Sequence, residues 1–204
     1  MYTALVSVSQ TLIAHLRTRF FADAALRPLF DPILGGNMII TLNNPEEMTR
    51  NNAQGVSLWL YRLVRDEDVL NRPDRRVTTS DFQMPPLPLR LHYLVAAIVD
   101  RTAAGSADTE QTILGKVLQA LHDHPLFSGA DLQGAFTGTN IQFRVRLETM
   151  SLEELTRVWE ALDRAYQLSA SYEISLVDID SEITEHIPLV IEAVPAPGIV
   201  VEHT

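Results

Sequence analysis

Residues Pro85–Asp100 read PPLPLRLHYLVAAIVD. Three prolines open onto an apolar run that carries an arginine, a histidine and a tyrosine. Such a stretch serves as a polyproline ligand, a strand bearing an active site, or the spine of a sheet. Alternation favours the last. On an extended chain Leu89, Leu91, Tyr93, Val95 and Ala97 fall on one side, and Leu94, Ala96 and Ile98 on the other. A strand apolar on both sides is covered on both faces. Proline donates no ladder hydrogen bond, so Pro85, Pro86 and Pro88 belong at the strand's start or on an edge. They also lead straight into the strand, which leaves no free segment for capture by a partner. Arg90 and His92 come early, where a polar head still reaches water or a neighbour.

The rest of the chain supplies partners for this strand. Leu5, Val8, Leu12, Leu16 and Phe20 repeat at helical spacing over the first twenty residues. Met38–Leu42 reads as a short strand between turn signals at Gly35-Gly36-Asn37 and Asn43-Asn44-Pro45. Val56–Val64 is apolar on both sides, with Trp59, Tyr61 and Leu63 together on one of them, and reads as an interior strand. The polar stretch Arg65–Phe82 has loop composition. Residues 106–127 predict a helix with Asp108 and Gln111 as a capping pair, a stripe of Leu114, Val117, Leu118 and Leu121, and a stop at Pro125. Ile141–Glu148 alternates as a half-exposed strand, with Ile141, Phe143, Val145 and Leu147 inward. Ser151 and Glu154 have capping-box spacing ahead of a stripe of Leu152, Leu155, Trp159 and Leu162. Ser171–Ile179 predicts the last strand. The order predicts an α+β fold: a central mixed β-sheet packed by about three amphipathic helices. Residues 1–180 form the domain, and 181–204 a C-terminal strand or arm, with an edge strand expected around Pro188–Val194.

The totals narrow the function. The 204 residues suit one domain, and 46% hydrophobic residues permit a large core. There is no cysteine, hence no disulfide, thiolate metal site or cysteine nucleophile. No secretory signal or membrane-length apolar window is visible, so a soluble protein, intracellular when made, is expected. The net charge of −10 is uneven: residues 1–102 hold 11 arginines against 10 acids, while residues 103–204 hold four arginines and Lys116 against 16 acids. Broad nucleic-acid binding needs clustered cations, so it is not expected. The asymmetry suits docking to proteins, or serves only solubility.

Candidate chemistry is sparse. His122-Asp123-His124 is the tightest group of metal-type ligands, but residues two apart on a helix diverge. His92 has Ser80, Asp81 and Asp100 as potential partners, with no motif to place them, and reads as a core or interface histidine bonded to a backbone carbonyl. No glycine pattern forms a phosphate cradle. The catalytic, metal and cofactor sets are therefore expected to be empty. A ligand-binding or enzymatic role for Arg90, His92 and Tyr93 is the competing class, and would need a polar pocket at that strand.

Several stretches together resemble the cap, or tail-terminator, proteins of bacterial extracellular contractile injection systems. They are ALVSVSQTLIAHL (4–16), VSLWLYRLVRDEDVLNRP (56–73), PPLPLRLHYLVAA (85–97), TILGKVLQALHDHPLF (112–127), SLEELTRVWEAL (151–162) and YQLSASYEISLVDID (166–180), in the family's order. The resemblance implies a tail-terminator-like fold and a structural role without catalysis. Such a protein forms a ring, expected to be a hexamer, on the end of an inner tube and its sheath. It ends tube polymerisation and anchors the sheath. Its partners would be further copies, the inner tube protein and the sheath protein. It would assemble in the bacterial cytoplasm and stay with a particle that is released from the cell. An adaptor or baseplate component of the same particle is the nearer alternative. A ring also needs two complementary lateral faces. Arg62, Arg65, Arg72, Arg75 and Arg76 are candidates to meet acidic residues of a neighbour, against the simpler reading of a solvated loop paired internally with Asp66, Glu67, Asp68 and Asp74.

Overall fold

The computed structural model describes residues 1–69, 73, 75–78 and 80–186, with Arg75 and Leu176 described by their backbones. Its elements are α1 (Ala4–Phe21), α2 (Arg27–Phe30), β1 (Ile39–Thr41), α3 (Pro45–Arg50), β2 (Gly55–Arg65), β3 (Arg75–Arg76), β4 (Asp81–Gln83), β5 (Leu87–Ile98), α4 (Ser106–Asp123), β6 (Leu126–Ser128), β7 (Gln142–Leu147), α5 (Leu152–Glu160), β8 (Ser169–Ile179) and β9 (Thr184–His186). Six strands form one sheet in the order β1-β2-β5-β8-β7-β6, and β3-β4-β9 form a second. Only β1 and β2 pair in parallel, so the main sheet is mixed, as expected.

The opening stretch is the spine. β5 lies between β2 and β8, and Pro88 sits at its start. Its odd residues from Leu89 to Ala97 join a core with α1 and α4, while Leu94, Ala96 and Ile98 join Met48 of α3 and Trp159 of α5. Val8, Leu12, Leu16 and Phe20 form the buried stripe of α1. That helix also buries Ser7, Ser9 and Thr11, which tie it down by hydrogen bonds. The Gln133 amide donates to Thr11 Oγ1 at 3.0 Å, the Ala135 amide to Ser7 Oγ at 3.1 Å, and Ser9 shares a 2.7 Å bond with the Tyr93 hydroxyl. Burial of Tyr93 pushes its hydroxyl up to about 12.

Both α3 and α5 begin with a capping box, Asn44 with Glu47 and Ser151 with Glu154. The pair expected for α4 does not form: the helix starts after Gly105 in the left-handed region, without a side-chain cap. Gly55, at φ +126°, is the residue that lets β1 and β2 pair, since a Cβ there would collide with the Ile39 carbonyl oxygen.

Three further expectations need correction. The Arg65–Phe82 connection is not plain loop, because it contributes β3 and β4, each too short to show a period. Leu147 and Leu152 are 54% and 65% exposed, outside the stripes that would bury them. β2 is interior only over its first residues. A bulge between Leu60 and Arg62 adds one residue at Tyr61 and reverses the alternation. Leu63 then pairs with Leu91 and shares a face with it rather than with Trp59, and it is 49% exposed. The edge strand expected around Pro188–Val194 lies outside the described residues; the stretch before it forms β9, which pairs with β4.

Candidate assembly interface

Arg62 and Arg65 stand exposed on the outer half of β2. Arg76, on β3, is also exposed; its Nε donates to the Thr78 carbonyl at 3.1 Å, and its guanidinium lies 5.9 Å from the Phe82 ring centre. The backbone of Arg75 is beside it on β3, and Arg72 lies outside the described residues. Three of the five expected interface arginines are thus exposed side chains.

A sixth arginine organises what lies beneath them. Arg90 Nη2 meets Asp66 at 2.8 Å and also binds Asp68, while Nη1 lies 4.0 Å from Glu173. These carboxylates, Asp66 and Asp68 first, raise the Arg90 pKa further above its ordinary value. Asp66 is buried, and an isolated charge there would be costly, so the pair with Arg90 fixes where β2 ends. Register continues the chain of charges across the sheet. His92 stands opposite Glu173, and Glu173 opposite Arg146. Arg146 donates to Glu173 at 3.0 Å, and His92 Nδ1 lies 3.0 Å from Glu148 Oε1. The other oxygen of Glu148 accepts from Ser171 at 2.6 Å, and Ser171 Oγ lies 3.0 Å from the Tyr61 hydroxyl. Burial is the main cause that raises the Tyr61 pKa.

This belt spans β2, β5, β8 and the end of β7. Sequence reasoning took His92 as bonded to a carbonyl, with Ser80, Asp81 and Asp100 as potential partners. The structure gives it Glu148 instead, while Asp81 holds His186 and Asp100 holds Thr102. The sequence did contain a signal: Glu148 has the outward parity of Arg144 and Arg146, which places all three on the His92 face.

The belt has the composition of a catalytic site but not its order. Hydrolytic triads put imidazole between hydroxyl and carboxylate, so that the base can take the hydroxyl proton. Here the carboxylate stands in the middle. Ser171 donates to Glu148, which fixes its hydrogen, and the histidine is on the far side. Tyr93 points to the opposite face, at Ser9. Donor atoms of His92, Glu148 and Glu173 lie within 4.8 Å of one another, close enough for a cation. Glu173 is already bound by one guanidinium and flanked by a second, so a metal there would have to displace Arg146. His122 is exposed, and His124 turns to Asp131 at 3.0 Å and stacks on His15 with ring centres 4.9 Å apart. The two residues diverge, as their spacing predicts. A groove of ≈ 620 Å³ lies between α4 and β7, lined by Leu118, Leu121, Val145, Leu147 and Tyr172 among others. It is largely apolar and lies beside α4, with Arg144 and Arg146 also in its lining.

The family profile of the Pvc16 N-terminal domain matches residues 7–193. The chain belongs to the Pvc16 N-terminal domain family. Two solved structures share the fold. One is described as the PVC sheath/tube terminator, in its extended state, of an extracellular contractile injection system. It has a TM-score of 0.59 at 17% identity, over 98% of this chain and 63% of that one. The other is described as the tube-terminating cap of the anti-feeding prophage, with a TM-score of 0.57 at 15% identity over 90% of this chain and 59% of that one. This Pvc16 N-terminal domain chain therefore spans about three fifths of the length of the solved structures it matches. No curated protein matches it. Among the described residues of this family member, no helix is long and apolar enough to cross a membrane.

Proposed function

We propose that this chain is the ring-forming part of a cap that ends the inner tube of a contractile injection particle and holds the end of its sheath. The observation that carries the proposal is the family match over residues 7–193, on a fold shared with a sheath/tube terminator. The site supports a structural role rather than an enzymatic one, because the belt's hydroxyl and imidazole are both tied to one carboxylate. Two further features suit a ring. A closed ring requires two different lateral patches on each subunit. The main sheet ends in β1 and β2 on one side and in β6 and β7 on the other. The exposed arginines on β2 and β3 also give one flank a positive bias in a protein of net charge −10. In this reading the ring is a hexamer, its partners are tube and sheath proteins, and it assembles in the bacterial cytoplasm before leaving with the particle.

The test adds purified protein to polymerising tube subunits and measures tube length and end occupancy by electron microscopy. Arrested tubes with a ring at one end are expected. Tubes that lengthen as before, with bare ends, would overturn the proposal. A ring at the baseplate end would make the protein an adaptor instead.

A further inference from the structure

β2 is 11 residues long, but β1 pairs only with Gly55, Val56 and Ser57. From Leu58 to Arg65 its outer edge has no strand beside it among the described residues. An open edge of that length invites pairing with another chain, and proteins blunt such edges with bulges and charge. This edge has both, in the bulge at Tyr61 and in Arg62 and Arg65 on either side of the half-exposed Leu63. Neither arginine has a hydrogen-bonding or ion-pairing partner among the described residues. They therefore repel a cationic strand while leaving the edge open to one that carries an acid.

We propose that this edge receives residues 187–194, IPLVIEAV, from a second copy of the chain, so that neighbours in the ring are joined by an exchanged strand. The inference rests on the ring-forming role proposed above. Three observations select this occupant. Length fits, since eight residues, rich in Ile and Val, face eight edge positions. Charge fits, since the chain has no lysine or arginine after Arg164, while Glu185 precedes the run and Glu192 lies within it. Direction favours a neighbour over the same chain. β8 and β2 both run antiparallel to β5, so β9 continues away from the start of β2. Returning to its own β2 would require the chain to reverse after His186. Proline disfavours the helical region for the residue before it, and Pro188 is the second residue of the run, whereas Pro195-Ala196-Pro197-Gly198 follows it in the sequence. Pro188 also falls at the start of the added strand, where a missing donor is tolerated.

The absence of cysteine makes a clean test possible. Leu63→Cys is placed in one preparation, and Leu189→Cys, Val190→Cys or Ile191→Cys in turn in another. The two are mixed, assembled on tube ends, oxidised and separated without reductant. A mixed disulfide dimer at one of the three positions is expected, and a chain carrying both cysteines should give a ladder that stops at the ring size. A doubly substituted chain that cross-links only within itself would overturn the proposal, as would rings that form without any cross-link. In the latter case the ring reading survives; bare tube ends would sink both. Truncation after His186 provides the second measurement. Rings should be lost at tenfold higher protein concentration, with the melting temperature of the monomer unchanged. A truncated chain that no longer folds would place the segment within its own subunit and reject the exchange.

Discussion

At the residue scale, the belt under β2 shows how charge can specify a structure without adding much to its stability. A buried ion pair gains little over a well-packed apolar pair, yet breaking one leaves an uncompensated charge. Glu173 is 8% exposed and receives Arg146, with Arg90 close by. Glu173→Gln should therefore destabilise the domain by about 2 kcal/mol, measured by urea unfolding. Arg146→Ala, at the solvent end of the same pair, should cost less. His15 offers a separate test in acid. Its burial lowers its pKa below 6.5; the Ala120 carbonyl partly opposes this, and the stacked His124 and nearby Arg19 reinforce it. A base with a lowered folded pKa is protonated first in the unfolded chain, so stability should fall as pH drops through 6.5 and level off below the folded value. The carboxylates held low by their partners, Asp23 by Lys116, Asp81 by Thr78 and His186, and Glu154 by Ser151, lose stability only in a more acidic window, below their ordinary values. His15→Gln should flatten the slope near neutrality and leave the acidic limb in place, as read from melting temperature against pH.

At the scale of elements, legibility followed period and length. β5, α1 and β8 were readable because each repeats its pattern over ten or more residues. Ser151 and Glu154 announced α5 correctly, and both halves of the capping box are present. Ser151→Ala should remove about 1 kcal/mol, seen in a thermal melt. Asp108 and Gln111 had similar polarity but no box, because Gly105 already sets the turn into α4. β3, β4, β6 and β9 went unread since two or three residues cannot show alternation, and none has the β-branched run between turn signals that announced β1. The reversal in β2 was hidden for another reason. A bulge is defined by what stands opposite it, and Val56–Val64 alone does not disclose that Arg62 pairs with His92. Arg62, Arg65 and Arg76, all three exposed, were legible as charged residues of the surface. Arg90, the cation that organises the belt beneath them, was not, because its carboxylates lie 22 to 83 positions away in the chain.

At the scale of the molecule, the two sheet margins have different character. The β6–β7 side is short-stranded and lies beside an apolar groove, whereas the β2 side is long and positively charged. Heterologous contacts need such unlike sides, and the exchanged strand proposed above would use the second. It would also explain why the acidic C-terminal portion has no cation of its own: like-charged tails avoid one another and seek the arginines of the next subunit. β5 has a further consequence. It is the strand flanked by β2 and β8 along nearly all of its length, with a packed layer above and below. Its amide protons can reach solvent only when the whole domain opens, whereas those of β3 and β4 need only a local fluctuation. In heavy water the centre of the molecule should therefore hold its protium longest, and the time it does so would report how firmly the subunit stays shut.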